Sequence, residues 1–311
     1  MVPLMGERRS ALILLLILCS LLVAFSKIDL VKALVINADG TVDQPDAVER
    51  TGDVYILTGD ILTLNVNRDN VTIDGNGHRI SYPTEVAVML SDVNNVTLKN
   101  CIIGAEGMQA GIVLLRSSNC VISNNLITKT RFILPVSFGT SGILIQSGGS
   151  NTISGNNLTD NAIGIFLFQT SDNIIVGNSI KDNSGGIIIA GSMNNNIYNN
   201  NFINNTEHVI DSGFLYNDVV YPSINIWDDG VTGNYWSNYT GQDTNGDNIG
   251  DSPHFIYENN QDKYPLMTPL DIEVISEFPS WIILALFITA TLVIVIIRKT
   301  LKKGIQSGNY L

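Results

Sequence analysis

Between residues 69 and 224 short β-branched runs alternate with asparagine and glycine, and apolar positions never take the three-to-four spacing of an amphipathic helix. The pattern repeats. NTISGNNLTDNAIGIFL from Asn151 superposes on NIIVGNSIKDNSGGIII from Asn173 at a shift of 22 residues, and NNIYNNNFINNTEHVI from Asn195 follows at 22 again. Matching apolar anchors are Ile73, Leu98, Val121, Ile153, Ile175 and Ile197, spaced by 25, 23, 32, 22 and 22 residues. A short fixed period of this kind marks a solenoid. Leucine-rich repeats need a denser leucine pattern and a helical segment, and neither is present. Three short strands per turn predict an all-β, right-handed parallel β-helix. Alternate side chains then point inward: Ile153, Leu158, Ile165 and Leu167 in one coil, and Ile175, Ile180, Ile187 and Ile189 in the next.

A polar column runs beside these anchors. Asn76, Asn124, Asn156, Asn178 and Asn200 share one repeat position, with Cys101 in place of asparagine in the second coil. Asparagine tolerates left-handed bends, and its amide can bond to the amide one coil above or below. Cys101 reads as a small buried substitute, and Cys120 aligns with Thr97 on another part of the coil. The spacing of 32 marks an insertion near Arg131 to Thr140, RFILPVSFGT, apolar enough to cover a neighbouring coil or line a groove.

Both ends of the chain are apolar. Glu7, Arg8 and Arg9 precede an uncharged run from Ala11 to Phe25, which predicts a signal peptide over residues 1–33; an uncleaved anchor is the alternative. Trp281 to Ile297 carries no charge and is followed by Arg298, Lys299, Lys302 and Lys303. That predicts a single membrane-spanning helix at 281–297 with a cytoplasmic basic tail at 298–311. Between the ends lie N-terminal cap strands (34–68), the repeats (69–224), a C-terminal cap (225–270) and a linker (271–280). The expected location is the cell membrane, with the large domain outside.

Charge narrows the partners. Residues 34–275 hold 9 Lys/Arg and 26 Asp/Glu, a net of 9 − 26 = −17. Such a surface disfavours nucleic acid. Sequons at Asn70, Asn95, Asn157, Asn204 and Asn238 are candidate glycan acceptors on an exported chain.

Two motifs follow the last repeat. DTNGDNIGD places Asp243, Asn245, Asp247, Ile249 and Asp251 at alternate positions, as a calcium loop requires with Ile249 contributing its carbonyl. Asn248 stands where such a loop has glycine, and His254 where it has a bidentate glutamate, so an ion-free Asp/Asn/Gly turn is the competing reading. The calcium pin is preferred. Upstream, Trp227, Tyr235, Trp236 and Tyr239 form either a stacking platform for sugar rings or a seal on the final coil, the seal being the commoner use of such residues. Catalysis has no such constellation: Asp228 and Asp229 are adjacent, with His78, His208 and His254 scattered, so no catalytic residue is assigned. Copper would want grouped Cys, Met or His, and these too are scattered, so copper is not expected.

The repeat, followed in order by GNYWSNY, DTNGDNIGD and DKYPLM, resembles the NosD-like parallel β-helix proteins over residues 69–267. The resemblance implies a carbohydrate-binding or sugar-hydrolase type of β-helix, and for the family's named member a part in assembling the copper centre of nitrous oxide reductase. The tail is similar to anchors of archaeal surface proteins. The expectation is therefore a membrane-anchored module of the cell surface that binds a glycan or an envelope protein without catalysis. A polysaccharide lyase or hydrolase and a copper-assembly factor are the alternatives.

Overall fold

The computed structural model describes residues 33–81, 86–104, 110–130, 140–211, 223–257 and 260–272, with the backbone also of two strands, Phe214–Tyr216 and Val219–Tyr221. The signal segment, the insertion at 131–139 and the predicted membrane helix lie outside these residues. Among the described residues no helix is long and apolar enough to cross a membrane.

Three parallel sheets wrap one core. The first holds Leu34–Ile36, Leu64–Val66, Val86–Ser91, Ala110–Leu115, Ser141–Gln146, Ile163–Phe168, Gly185–Ala190 and Glu207–Asp211. The second runs through Thr72–Asp74, Thr97–Lys99, Val121–Ser123, Thr152–Ser154, Ile174–Val176 and Asn196–Tyr198, and starts at an antiparallel hairpin, Val48–Thr51 with Val54–Leu57. The third runs from Arg79–Ile80 to Tyr235–Trp236. This is a parallel β-helix, and its sheets extend back to Leu34.

The inward columns are those the alternation predicts. Ile153, Leu158, Ile165, Leu167, Ile175, Ile180 and Ile187 have no exposed surface. Each such side chain contributes roughly 1.5–3 kcal/mol of burial. A column of small residues, Gly142, Gly164 and Gly186, lets successive backbones close up: a Cβ on Gly142 would lie 2.8 Å from the Gly164 carbonyl oxygen. His208 ends that column, in register after Gly186.

The third coil is displaced by one residue from the sequence alignment. Ile122, not Val121, pairs between Leu98 and Ile153, while Val121 faces outward with Thr97 and Thr152. Cys120 accordingly sits one position before Thr97, and Asn125, not Asn124, enters the polar column. A one-residue slip exchanges the two faces of a strand, and Val121-Ile122 is apolar on both, so hydrophobicity could not resolve it.

Two roles also separate. Asn100, Asn124, Gly155, Gly177 and Asn199 form an outer column at positive φ, 53° to 65°, which makes the bend, and Asn76, at φ 51°, bends the first coil one position later in register. The inner column is Cys101, Asn125, Asn156, Asn178 and Asn200. Here the backbone and side-chain amides of each asparagine from Asn125 to Asn178 both donate to Oδ1 of the next, at 2.9–3.0 Å. Two further ladders mark the other corners. One runs Asn151, Asn173, Asn195, Asn225, and the other Asn161, Asn183, Asn205. Cys120 and Thr130 stand at their heads, each donating its backbone N–H to the first asparagine. These amides are buried, and the ladder supplies the partners that burial would otherwise remove.

Candidate functional site

The ladders lead to a place where polar, aromatic and titratable groups converge. Asn200 donates to Oδ1 of Asn234 through both amides, at 3.0 Å each. Asn234 in turn donates its backbone N–H to Oδ2 of Asp262 at 2.7 Å. Asp262 is the last rung of this ladder, a carboxylate where each rung from Asn125 to Asn234 is an amide. Its Oδ2 also accepts the Trp236 indole N–H at 2.8 Å, and its Oδ1 the Tyr264 backbone N–H at 3.0 Å. Burial pushes the Asp262 carboxyl up to about 6; the three N–H donors act against that rise, and the nearby Asp228 charge adds to it. Gly233 makes room, because a Cβ there would run into the Asp262 carboxylate. The second ladder ends similarly: Asn260 accepts the backbone N–H of Asn225 at 2.9 Å and the Trp227 indole N–H at 3.0 Å.

Trp236 lies at the centre of the cap. Its ring stacks on Phe202, with centroids 4.3 Å apart and planes 5° apart, and on His254 at 4.7 Å. Trp227 and His208 stand near 6 Å from it, tilted. Asn205 Nδ2 lies 3.2 Å from His208 Nδ1, and Ser237 Oγ lies 3.2 Å from His208 Nε2. Because an amide nitrogen can only donate, Nδ1 accepts and the proton resides on Nε2. Burial, followed by the neighbouring His254, pushes His208 down to about 4, and burial lowers His254 as well. Both rings are neutral at pH 7.

The four aromatic candidates therefore divide. Trp227 and Trp236 are buried inside the cap, so their faces are closed to a sugar ring, which matches the seal and not the platform. Tyr235 and Tyr239 are half-buried. The Tyr239 hydroxyl donates to the Ser252 carbonyl at 2.5 Å, and Gly241 and Gly250 flank its ring, where a Cβ on either would collide.

The loop at 243–251 is held by its own side chains. Asp243 accepts the backbone N–H groups of Gly246, Asp247 and Asn248; Asn245 accepts that of Asp247; Asp247 accepts that of Ile249; Asp251 accepts that of Thr244. Ile249 bridges to Leu266. The carboxylates turn toward backbone N–H groups, and among the described residues no three His, Cys, Asp or Glu side chains converge to hold a metal. Asp228 and Asp229 close the next turn upstream. Asp229 accepts from Val231 and Thr232, which lowers its pKa, and Asp228 accepts from Gly230 and Lys263. Of the sequons, Asn70, Asn95, Asn204 and Asn238 are exposed and Asn157 is half-buried on a strand. Asn95 Nδ2 donates to Asn70 Oδ1 at 2.9 Å, one rung apart.

Nothing in the sequence marked Asp262 as a ladder rung, or the gathering of His208 and His254 on Trp236. Asp262 departs from the 22-residue period, and its role is visible only once Asn234 is seen as a rung.

The chain matches the family described as "Periplasmic copper-binding protein (NosD)" over residues 41–241. No curated protein matches it. Among solved structures it is similar to the A-module of the mannuronan C-5 epimerase AlgE4 of Azotobacter vinelandii, at 19% identity and a TM-score of 0.42, covering 58% of this chain and 52% of that one. It is also similar to the periplasmic alginate epimerase AlgG, at 17% identity and a TM-score of 0.42, covering 55% and 42%. The chain thus spans about half the length of these structures or less, and the likeness is one of fold.

Copper, which the family's description carries, does not fit the described cysteines and histidines. Cys101 and Cys120 are buried, each thiol lies against a backbone carbonyl, and burial raises both pKa values, the reverse of what a thiolate ligand needs. His208 has both ring nitrogens occupied, and His78 lies beside Asp60 among the first coils.

Proposed function

The chain belongs to the NosD family, and we propose that within it this protein is a membrane-anchored β-helix of the cell envelope that binds a glycan or an envelope protein without transforming it. One observation carries the reading. Asp262 is the group a search for catalysts would select, a buried carboxyl with a raised pKa, bonded to the Trp236 indole on which His254 stacks. Yet its oxygens are held by Asn234, Trp236 and Tyr264 as the terminal rung of a structural ladder. The ordered motifs at the C-terminal end serve the same closure: Gly233 admits the carboxylate, Trp236 fills the last coil, and Gly241 and Gly250 clasp Tyr239. What is left for a ligand is the outer surface. On the second sheet one outward column runs Thr72, Thr97, Val121, Thr152, and the next runs Asp74, Lys99, Ser123, Ser154. Hydroxyls on adjacent coils, about 4.8 Å apart at Thr72–Thr97 and at Ser123–Ser154, suit an extended neutral glycan, and the acidic balance disfavours a polyanionic one.

The full chain in detergent, applied to a glycan array and incubated in parallel with the same glycans, tests this. Binding with no new reducing or unsaturated ends is the expected result. Turnover abolished by Asp228→Ala or Asp229→Ala would replace the reading with an enzyme.

A further inference from the structure

The C-terminal end of the β-helix gathers most of the exposed apolar side chains of the described surface. Seven large apolar residues are exposed among the described residues, and five belong to this end: Phe255 at 74%, Val231 at 67%, Ile226 at 52%, Ile224 at 49% and Tyr257 at 47%. They are placed there by alternation. Ile224 and Ile226 flank the buried rung Asn225, and Phe255 and Tyr257 flank Ile256, which packs on the core. Asn260 joins the two rows, because its side chain bonds Ser223 and Asn225 while its strand pairs with that of Tyr257. Val231 tops the turn made by Asp228 and Asp229, whose Asp228 accepts the Lys263 N–H. A group of exposed apolar residues of this kind marks a contact surface.

We infer that this end rests on the lipid bilayer, with Phe255, Val231 and the Ile224–Ile226 row at the membrane interface. The inference rests on the proposed anchor at 281–297. From Ile272, the last described residue, to Trp281 there are nine residues, which extend to at most ~30 Å. Along the third sheet, which the tail leaves beside Asn201, the opposite end at Arg79–Ile80 is five inter-strand steps away, about 24 Å at 4.8 Å each, so exposure and not reach chooses between the ends. Among the described residues, that end offers a lipid surface only Val54, exposed at 39%. Nor does the side where the tail leaves supply the contact. Leu270 bonds to Asn201 on the third sheet, and the outward residues there are Asn157, Thr159, Ser179 and Lys181. The carboxylates of the 243–251 loop are held by the loop's own backbone, and Ile249 ties the loop to Leu266 beside Tyr235 on that same third-sheet side. The contact is therefore apolar, and neutral lipid suffices.

The test uses the full chain with Cys19→Ser, in phosphatidylcholine nanodiscs, carrying a nitroxide at Phe255→Cys, Val231→Cys or Glu49→Cys. Accessibility to a water-soluble nickel chelate is expected to be several-fold lower at 255 and 231 than at 49. Equal accessibility at all three, in a chain that still resists carbonate extraction, overturns the docking and leaves the anchor intact. Extraction by carbonate removes the anchor and this inference with it. Hydrogen exchange of the unlabelled wild-type chain, in discs against detergent, should slow over 223–231 and 254–257 but not over 48–57, and identical exchange also overturns the docking.

Discussion

Asn124 and Asn125 are neighbours in sequence and opposite in role. Asn124 lies on the surface at φ 53°, making a bend, whereas Asn125 is 1% exposed and joins Cys101 above to Asn156 below. Asn124→Gly should therefore leave stability within about 0.5 kcal/mol, because glycine accepts the left-handed bend freely. Asn125→Gly should cost about 3 kcal/mol or more, because the Cys101 N–H loses its acceptor and the Asn156 carbonyl oxygen a donor. Urea unfolding of the two variants reads the difference directly, and equal costs would show that the inner ladder does not hold the stack.

The fold was legible because the anchors repeat at 22 residues and each strand alternates faces. The failure in the third coil is equally physical. Val121-Ile122 and Asn124-Asn125 are doublets, so either register satisfied the pattern, and the backbone alone decided. The other two ladders repeat as regularly, at Asn151, Asn173 and Asn195 and at Asn161, Asn183 and Asn205, but nothing in one sequence distinguishes a buried amide from an exposed one. The cap was least legible. Its rungs Asn225, Asn234, Asn260 and Asp262 lie 28 to 35 residues from their ladder partners, because loops intervene.

The two buried thiols should be inert in the native state. Neither has exposed surface, and the thiolate that an alkylating reagent attacks is disfavoured by burial. Peptide mapping after iodoacetamide should find Cys101 and Cys120 unmodified in buffer and modified in guanidinium. Native-state labelling of either, or stoichiometric copper(I) uptake lost in Cys101→Ala, would reopen the metal role that the family's description suggests.

The 243–251 loop should keep its shape without an ion. Asp243 accepts three backbone N–H groups and bridges the loop internally. Removing divalent ions with a chelator is expected to leave Tm unchanged, while Asp243→Ala lowers stability by about 1–2 kcal/mol through the N–H groups left to water. A calcium-dependent rise in Tm that vanishes in Asp247→Ala would restore the calcium pin.

The cap should carry two opposed pH dependences. Asp262 has its pKa raised from 3.8 to about 6, so its contribution is complete below pH 3.8 and is lost as pH rises through 6. His208 has its pKa lowered from 6.5 to about 4, so its contribution is complete above pH 6.5 and is lost as pH falls through 4; His254 shifts in the same direction. Each shift of about two units corresponds to roughly 3 kcal/mol, and between pH 4 and 6 the Asp262 and His208 slopes cancel to first order. Asp262→Asn removes the falling slope, so its unfolding free energy should climb from pH 4 to 6.5. His208→Gln removes the main rising slope, so its unfolding free energy should fall over the same range. Urea midpoints at pH 4, 5, 6 and 7 separate these outcomes. Parallel profiles in the two variants would mean that Asp262 and His208 do not titrate inside the closed cap, and that the last rung opens before either group changes charge.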